Sequence, residues 1–144
     1  MNHPAELALH QYMDKATKGN TTMSDDTIKR VADDITAALK RQFGGGNKRD
    51  EFTLRMSNVG RPTCQLWYEK NKPELALPFP TTFVMNMMLG DIVEAVFKGI
   101  LKEAGVQYED TDKVTLDLGD DSVSGSYDII INDAVDDIKS ASDW

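Results

Sequence analysis

The rhythm of apolar and polar positions changes near Gly105. Before it, apolar residues recur every three or four positions; after it, they alternate or gather in short β-rich runs. Ile28, Val31, Ile35 and Leu39 keep helical spacing behind Ser24, a good N-cap followed by Asp25 and Asp26. The pattern predicts an amphipathic helix over Thr27–Phe43. Residues 1–22 read as a short helical lead and a polar linker. Gly44-Gly45-Gly46 ends the helix and makes a flexible joint; it lacks the Gly-Lys-Ser/Thr ending of a phosphate-cradling loop. Phe52–Met56 is a short extended segment. Ser57 or Asn58 offers a cap, and Pro62 a first turn, for a helix reaching about Lys70 that carries Cys64, Leu66, Trp67 and Tyr68, with Trp67 and Tyr68 read as core. Pro73, Pro78 and Pro80 make 71–80 a loop. Thr81 is placed to cap a long helix that reaches Ala104 and ends at Gly105. Its broad apolar face, from Phe83 through Met87 and Ile92 to Leu101, is read as core packing.

Beyond Gly105, Lys113–Leu118, Val123–Ile131 and Ala134–Lys139 predict a three-stranded antiparallel meander. Asn132-Asp133, between the apolar runs Ile129–Ile131 and Ala134–Val135, is a two-residue hairpin signal. With that loop Ile131 faces Ala134, Ile130 faces Val135, and Asp128 lies across from Asp137. Alternation gives Lys139 the face of Asp137. Two carboxylates meeting across a ladder repel each other, and a divalent cation between them makes sense of the arrangement. Asp136 falls on the opposite face and reads as an edge or solvent residue.

Composition narrows the class. The chain has 144 residues, 40% hydrophobic and 28% charged, which suits one folded domain with a moderate core. No apolar run of about 18 residues implies a membrane span, and the N-terminus lacks the basic-then-apolar pattern of a secretory signal. The lone Cys64 cannot form an internal disulfide, so a reducing compartment such as cytoplasm fits. A net charge of −8 argues against an electrostatic grip on nucleic acid. The charge is uneven, however. Lys40, Arg41, Lys48, Arg49, Arg55, Arg61, Lys70 and Lys72 outnumber the acids of residues 40–72, whereas residues 109–137 are acidic with Lys113 as the one base. That division suits a phosphate-binding wall beside a metal site. His3 and His10 read as surface residues without a chemical role, and Asp120 and Asp121 as turn acids.

Gly125-Ser-Tyr-Asp128, the hairpin, and Asp137-Ile-Lys139 together resemble the core of the PD-(D/E)XK nuclease superfamily, in its phage-type, RecB-like exonuclease branch. Upstream, Gly90-Asp-Ile-Val-Glu94 resembles the first acidic motif of these enzymes, and the stretch Arg55–Tyr68 a segment that precedes their core. The resemblance covers about residues 52–144. It implies a restriction-endonuclease-like core, N-terminal helices packed on a short antiparallel three-stranded sheet, and Mg²⁺ (or Mn²⁺)-dependent hydrolysis of DNA phosphodiester bonds. It makes Asp128 and Asp137 direct metal ligands, adds the main-chain carbonyl of Ile138 and the Glu94 carboxylate, and has Lys139 orient the attacking water. Arg55, Ser57, Arg61 and Gln65 become candidates for contacting DNA phosphates. The family's iron–sulfur variants need four cysteines, which this chain does not have. Tyr127 stands where the family often has proline. The chain stops at Trp144, five residues after Lys139, before the helix and strand that follow in the family. The expectation is that the chain is a fragment, or that a second chain or another subunit of a homo-oligomer supplies the C-terminal elements.

The reading is an α/β (α+β) fold with a helical N-terminal arm and Gly-rich linker over 1–50 and a truncated or split nuclease core over 51–144. The expected function is a DNA exonuclease, or the N-terminal half of one, of phage type. The alternative is a non-catalytic interaction protein that keeps the nuclease core as a scaffold. A calcium-binding domain ranks below both, because no Asp-x-Asp-x-Asp-Gly loop is present.

Overall fold

In the computed structural model, which describes residues 3–44, 52–119 and 121–139, helices come first and strands last. The elements are α1 (Pro4–Thr17), α2 (Asp25–Phe43), β1 (Leu54–Arg55), α3 (Thr63–Asn71), a 3₁₀ turn at Pro73–Leu75, α4 (Thr81–Glu103), β2 (Glu109–Asp117), β3 (Ser122–Ile131) and β4 (Ala134–Asp136). The fold is mixed α+β. None of the described helices is long and apolar enough to cross a membrane.

Ser24 caps α2 as its sequence implies: its hydroxyl accepts from the Thr27 N–H at 3.3 Å. α2 then packs along α4, where Gly99 permits close approach. A methyl group on Gly99 would lie 2.5 Å from Cγ2 of Val31. α1 also lies on α4, and its Ala5 joins Leu101, Ile129 and Ile131 in the central apolar cluster, flanked by Phe97, Val106, Tyr108 and Ile138. The N-terminal helices thus cover the α4 side of the sheet. Gly44 is the C-cap of α2, while Gly45, Gly46 and the bases Lys48 and Arg49 lie outside the described residues.

The meander β2–β3–β4 forms with the expected hairpin register: Ile131 pairs with Ala134, Ile130 with Val135 and Ile129 with Asp136. Asn132 and Asp133 adopt φ of 51° and 62°, the left-handed pair that a two-residue turn requires and that Asn and Asp tolerate. The sheet is not purely antiparallel, however. β1 adds a fourth, parallel strand, with Leu54 beside Val123 and Arg55 beside Ser124. β1 and β4 occupy opposite ends of the same edge of β3, while β2 covers the other edge. A notch opposite residues 125–128 separates them. Met56 leans over it, 2.9 Å from where a side chain on Gly125 would begin.

Several local expectations are corrected. β4 stops at Asp136, so Asp137–Lys139 run on without strand pairing. α3 starts after Pro62 rather than at Ser57 or Asn58. Asn58 is instead buried and folds back on β1, its Oδ1 accepting from the Arg55 N–H at 2.7 Å, which closes the 55–58 turn. α4 begins after Pro80 without a side-chain cap from Thr81. Trp67 and Tyr68 are not core: they are 52% and 54% exposed and pack edge-to-face on each other. The N-terminal half of α4 also leaves Phe83, Met85 and Leu89 exposed. α2 reaches as far back as Asp91, which Arg41 and Gln42 bind, while the sheet lies against the C-terminal half at Phe97 and Leu101.

Candidate metal centre

The hairpin brings its two acids together. Ile129 is buried against the helices, so alternation turns Asp128 to the other face of β3. Asp136 pairs with Ile129 on the helix face, and Asp137, one residue on, comes round to Asp128. The carboxyl groups of Asp128 and Asp137 are close enough to share a hydrogen bond. The backbone fixes one of them: the Ile138 N–H donates to Oδ2 of Asp128 at 2.7 Å. Lys139 reaches back to Asp137, with Nζ 2.8 Å from Oδ2. The Asp137 and Lys139 side chains are largely exposed, so the group is open to solvent.

The pair is electrostatically unequal. Partial burial pushes the Asp128 carboxyl above its ordinary value. The Ile138 N–H opposes that shift, and the neighbouring Asp137 and Glu94 reinforce it. Lys139 holds Asp137 below its ordinary value, and Asp137 in turn raises Lys139. At neutral pH this leaves an ammonium and two carboxyl groups within reach of one another, with Asp128 disfavoured as an anion. A hard cation would relieve that cost, and the donors are the oxygen atoms that magnesium and manganese prefer.

Glu94 sits differently from the expectation. It projects from α4 near enough for its charge to act on Asp128, but its carboxylate is engaged by Lys98, at 2.6 Å. Lys98 is 5% exposed and also binds Asp110 of β2 at 2.7 Å. Arg30 of α2 pairs with the same Asp110, and the Tyr108 hydroxyl donates to the Lys98 carbonyl at 3.2 Å. Burial lowers the Lys98 ammonium, yet its bonds to Asp110 and Glu94 outweigh this and hold it above its ordinary value. This charged knot between α2, α4 and β2 went unread in the sequence. Its one signal was Glu94–Lys98, an i,i+4 pair, with Lys98 set inside an apolar stripe. Among the described residues, no three acidic, imidazole or thiol groups stand close enough to hold one ion. The hairpin therefore presents a two-carboxylate site, with Glu94 in electrostatic reach.

The proposed phosphate contacts are partly committed elsewhere. Arg61 and Gln65 both donate to Oε1 of Glu69 at 3.0 Å. Arg55 lies on β1 beside Ser124 with its Nε buried and unpartnered, and Ser57 is exposed in the turn that follows. Arg55 and Ser57 thus flank the β3 notch, on the edge that also carries β4. Asp136, expected at the surface, is half-buried on the helix face. Its Oδ1 lies 3.3 Å from Nε2 of His3, while Oδ2 is buried without a partner. His3 is accordingly more than a surface residue: its Nδ1 accepts from the Ala5 N–H to start α1. Asp121 closes the β2–β3 turn through its carbonyl, as a turn acid, and Asp120 lies outside the described residues.

Compared with known proteins, the chain matches no family model, and no curated protein or solved structure matches it.

Proposed function

We propose that the chain is a metal-dependent DNA nuclease with a PD-(D/E)XK-like, restriction-endonuclease-like core, acting alone or with a partner chain. The observation that carries the reading is the convergence of Asp128, Asp137 and Lys139 at the end of a hairpin, fixed by the Ile138 N–H. Asp128 and Asp137 would hold magnesium or manganese, with the Ile138 carbonyl and Glu94 beside them. The bound ion would neutralise charge on the scissile phosphate and lower the pKa of the attacking water. Lys139, kept charged by Asp137, orients that water and balances the phosphate rather than acting as a base. Glu94 must turn from Lys98 to reach an ion directly; held as it is, it acts through its field or through water. Arg55 and Ser57, at the notch, steer the phosphodiester backbone towards the pair.

The test is digestion of linear duplex and single-stranded DNA in Mg²⁺, with Asp137→Asn and Lys139→Ala as controls. Loss of cleavage in both variants supports the reading. Equal activity in all three proteins defeats it. The second reading, a scaffold that keeps the nuclease architecture without cleavage, draws on one observation: the Lys98 ammonium already neutralises Glu94, where an ion would otherwise do so.

A further inference from the structure

β2 is the outer strand of the sheet, and its far edge carries no strand among the described residues. Its second half is apolar on one face and exposed: Val114 is 56% and Leu116 60% exposed. On the other face, Lys113 and Asp117 flank Thr115. An edge of this kind is a template for another strand.

Two hydrogen bonds fix which backbone groups point outward. The Ser124 carbonyl accepts from the Met56 N–H at 2.9 Å, so Ser124 faces β1 and not its partner Thr115. A strand residue sends its N–H and C=O to the same side, so those of Thr115 face the free edge. The Leu118 N–H, bonded to the Asp121 carbonyl at 2.8 Å, gives the same alternation: 118, 116 and 114 inward, 117, 115 and 113 outward.

We infer that this edge pairs with the same edge of a second copy of the chain, antiparallel, about a two-fold axis through Thr115. In that register the outward backbone groups of Thr115 bond each other across the axis, and those of residue 113 bond residue 117 of the second copy. Lys113 then faces Asp117 of the second copy twice on one side of the sheet. Val114 faces Leu116 of the second copy twice on the other. Registers centred on Val114 or Leu116 oppose no like charges but set Lys113 against Thr115 or Gly119 and gain no opposite-charge pair, so charge favours the register centred on Thr115. Centring on Lys113 would set it against its own copy and Glu109 against Asp117. Centring on residue 111 would pair Lys113 with Glu109 but set Asp112 against Asp110, and centring on Asp117 would oppose that acid to itself. The product is one continuous eight-stranded sheet. The hairpin acids sit at the opposite edge of β3 and stay open, so the pairing does not depend on the nuclease reading.

Sedimentation equilibrium of the full chain tests the pairing. The parent dimerises reversibly. Lys113→Glu or Asp117→Lys weakens the dimer by about tenfold or more, because each sets two like-charge pairs across the ladder. The combined Lys113→Asp, Asp117→Lys exchange restores it. A parent that stays monomeric at millimolar concentration overturns the inference. So does a dimer indifferent to both single substitutions, or a charge exchange that fails to restore it. Tighter association in Lys113→Thr also overturns it, since Lys113 would then be guarding the edge rather than selecting a partner.

Discussion

Replacing Lys98 by methionine isolates the charged knot beneath the sheet. Methionine keeps most of the length and apolar stem, so the change removes the ammonium with little cavity. The lost contacts are charge-assisted bonds to Glu94 at 2.6 Å and to Asp110 at 2.7 Å. Breaking a fully buried pair costs about 3–5 kcal/mol, mainly through the charge left behind. Here the acids are less enclosed: the side chains of Glu94 and Asp110 are 29% and 50% exposed, and Asp110 keeps Arg30. Water and Arg30 absorb part of the loss, which leaves a cost of about 2 kcal/mol. For a chain of this size that lowers Tm by roughly 6 °C. The measurement is urea denaturation at pH 7 with a thermal melt. The pH dependence adds a second check. The folded pKa of Lys98 is raised, so its contribution is complete below the unfolded value of 10.5 and fades as pH climbs through the folded one. The gap between parent and variant should therefore hold at neutral pH and shrink in strong alkali. A variant as stable as the parent, or more so, would refute the argument by showing that desolvating Lys98 costs as much as its partners return.

The hairpin makes a prediction of opposite sign. An acid whose folded pKa is raised holds its proton more tightly when folded, so Asp128 makes stability fall as pH rises from about 3.8 through its folded value. Asp128→Asn in metal-free buffer should gain about 0.5 kcal/mol at neutral pH, because a charge no longer sits partly buried beside Asp137, and nothing at a pH where Asp128 is protonated in both states. Denaturation with chelator at the two pH values checks this; a marked loss at neutral pH counts against it. Gly99→Ala should destabilise by about 1 kcal/mol although alanine is the better helix former, because the new methyl meets Val31 at 2.5 Å. A rise in the urea midpoint would show that α2 yields at no cost.

The parts of the fold legible in the sequence are those set by local chemistry. Asn132-Asp133 specified both the turn type and the register, and with them the meeting of Asp128 and Asp137. Ser24 specified the start of α2. The rest depends on contacts between distant segments. A two-residue strand such as β1 has no periodicity, and only its pairing with Val123 and Ser124 defines it. Lys98 reads as one half of an ordinary surface pair until β2 brings Asp110 to it. The apolar pattern of α4 predicts a helix correctly but does not say how far along its length anything covers it. Asp136 reads as a solvent residue because His3, its neighbour, lies more than a hundred residues away in the chain.

Titration calorimetry with Mn²⁺ and Mg²⁺ on the parent, Asp128→Asn and Asp137→Asn tests the central claim most directly. The account predicts saturable binding of one or two ions in the parent, with heat lost in both variants while their circular dichroism is unchanged. No binding in the parent, or undiminished binding in the two variants, would contradict it.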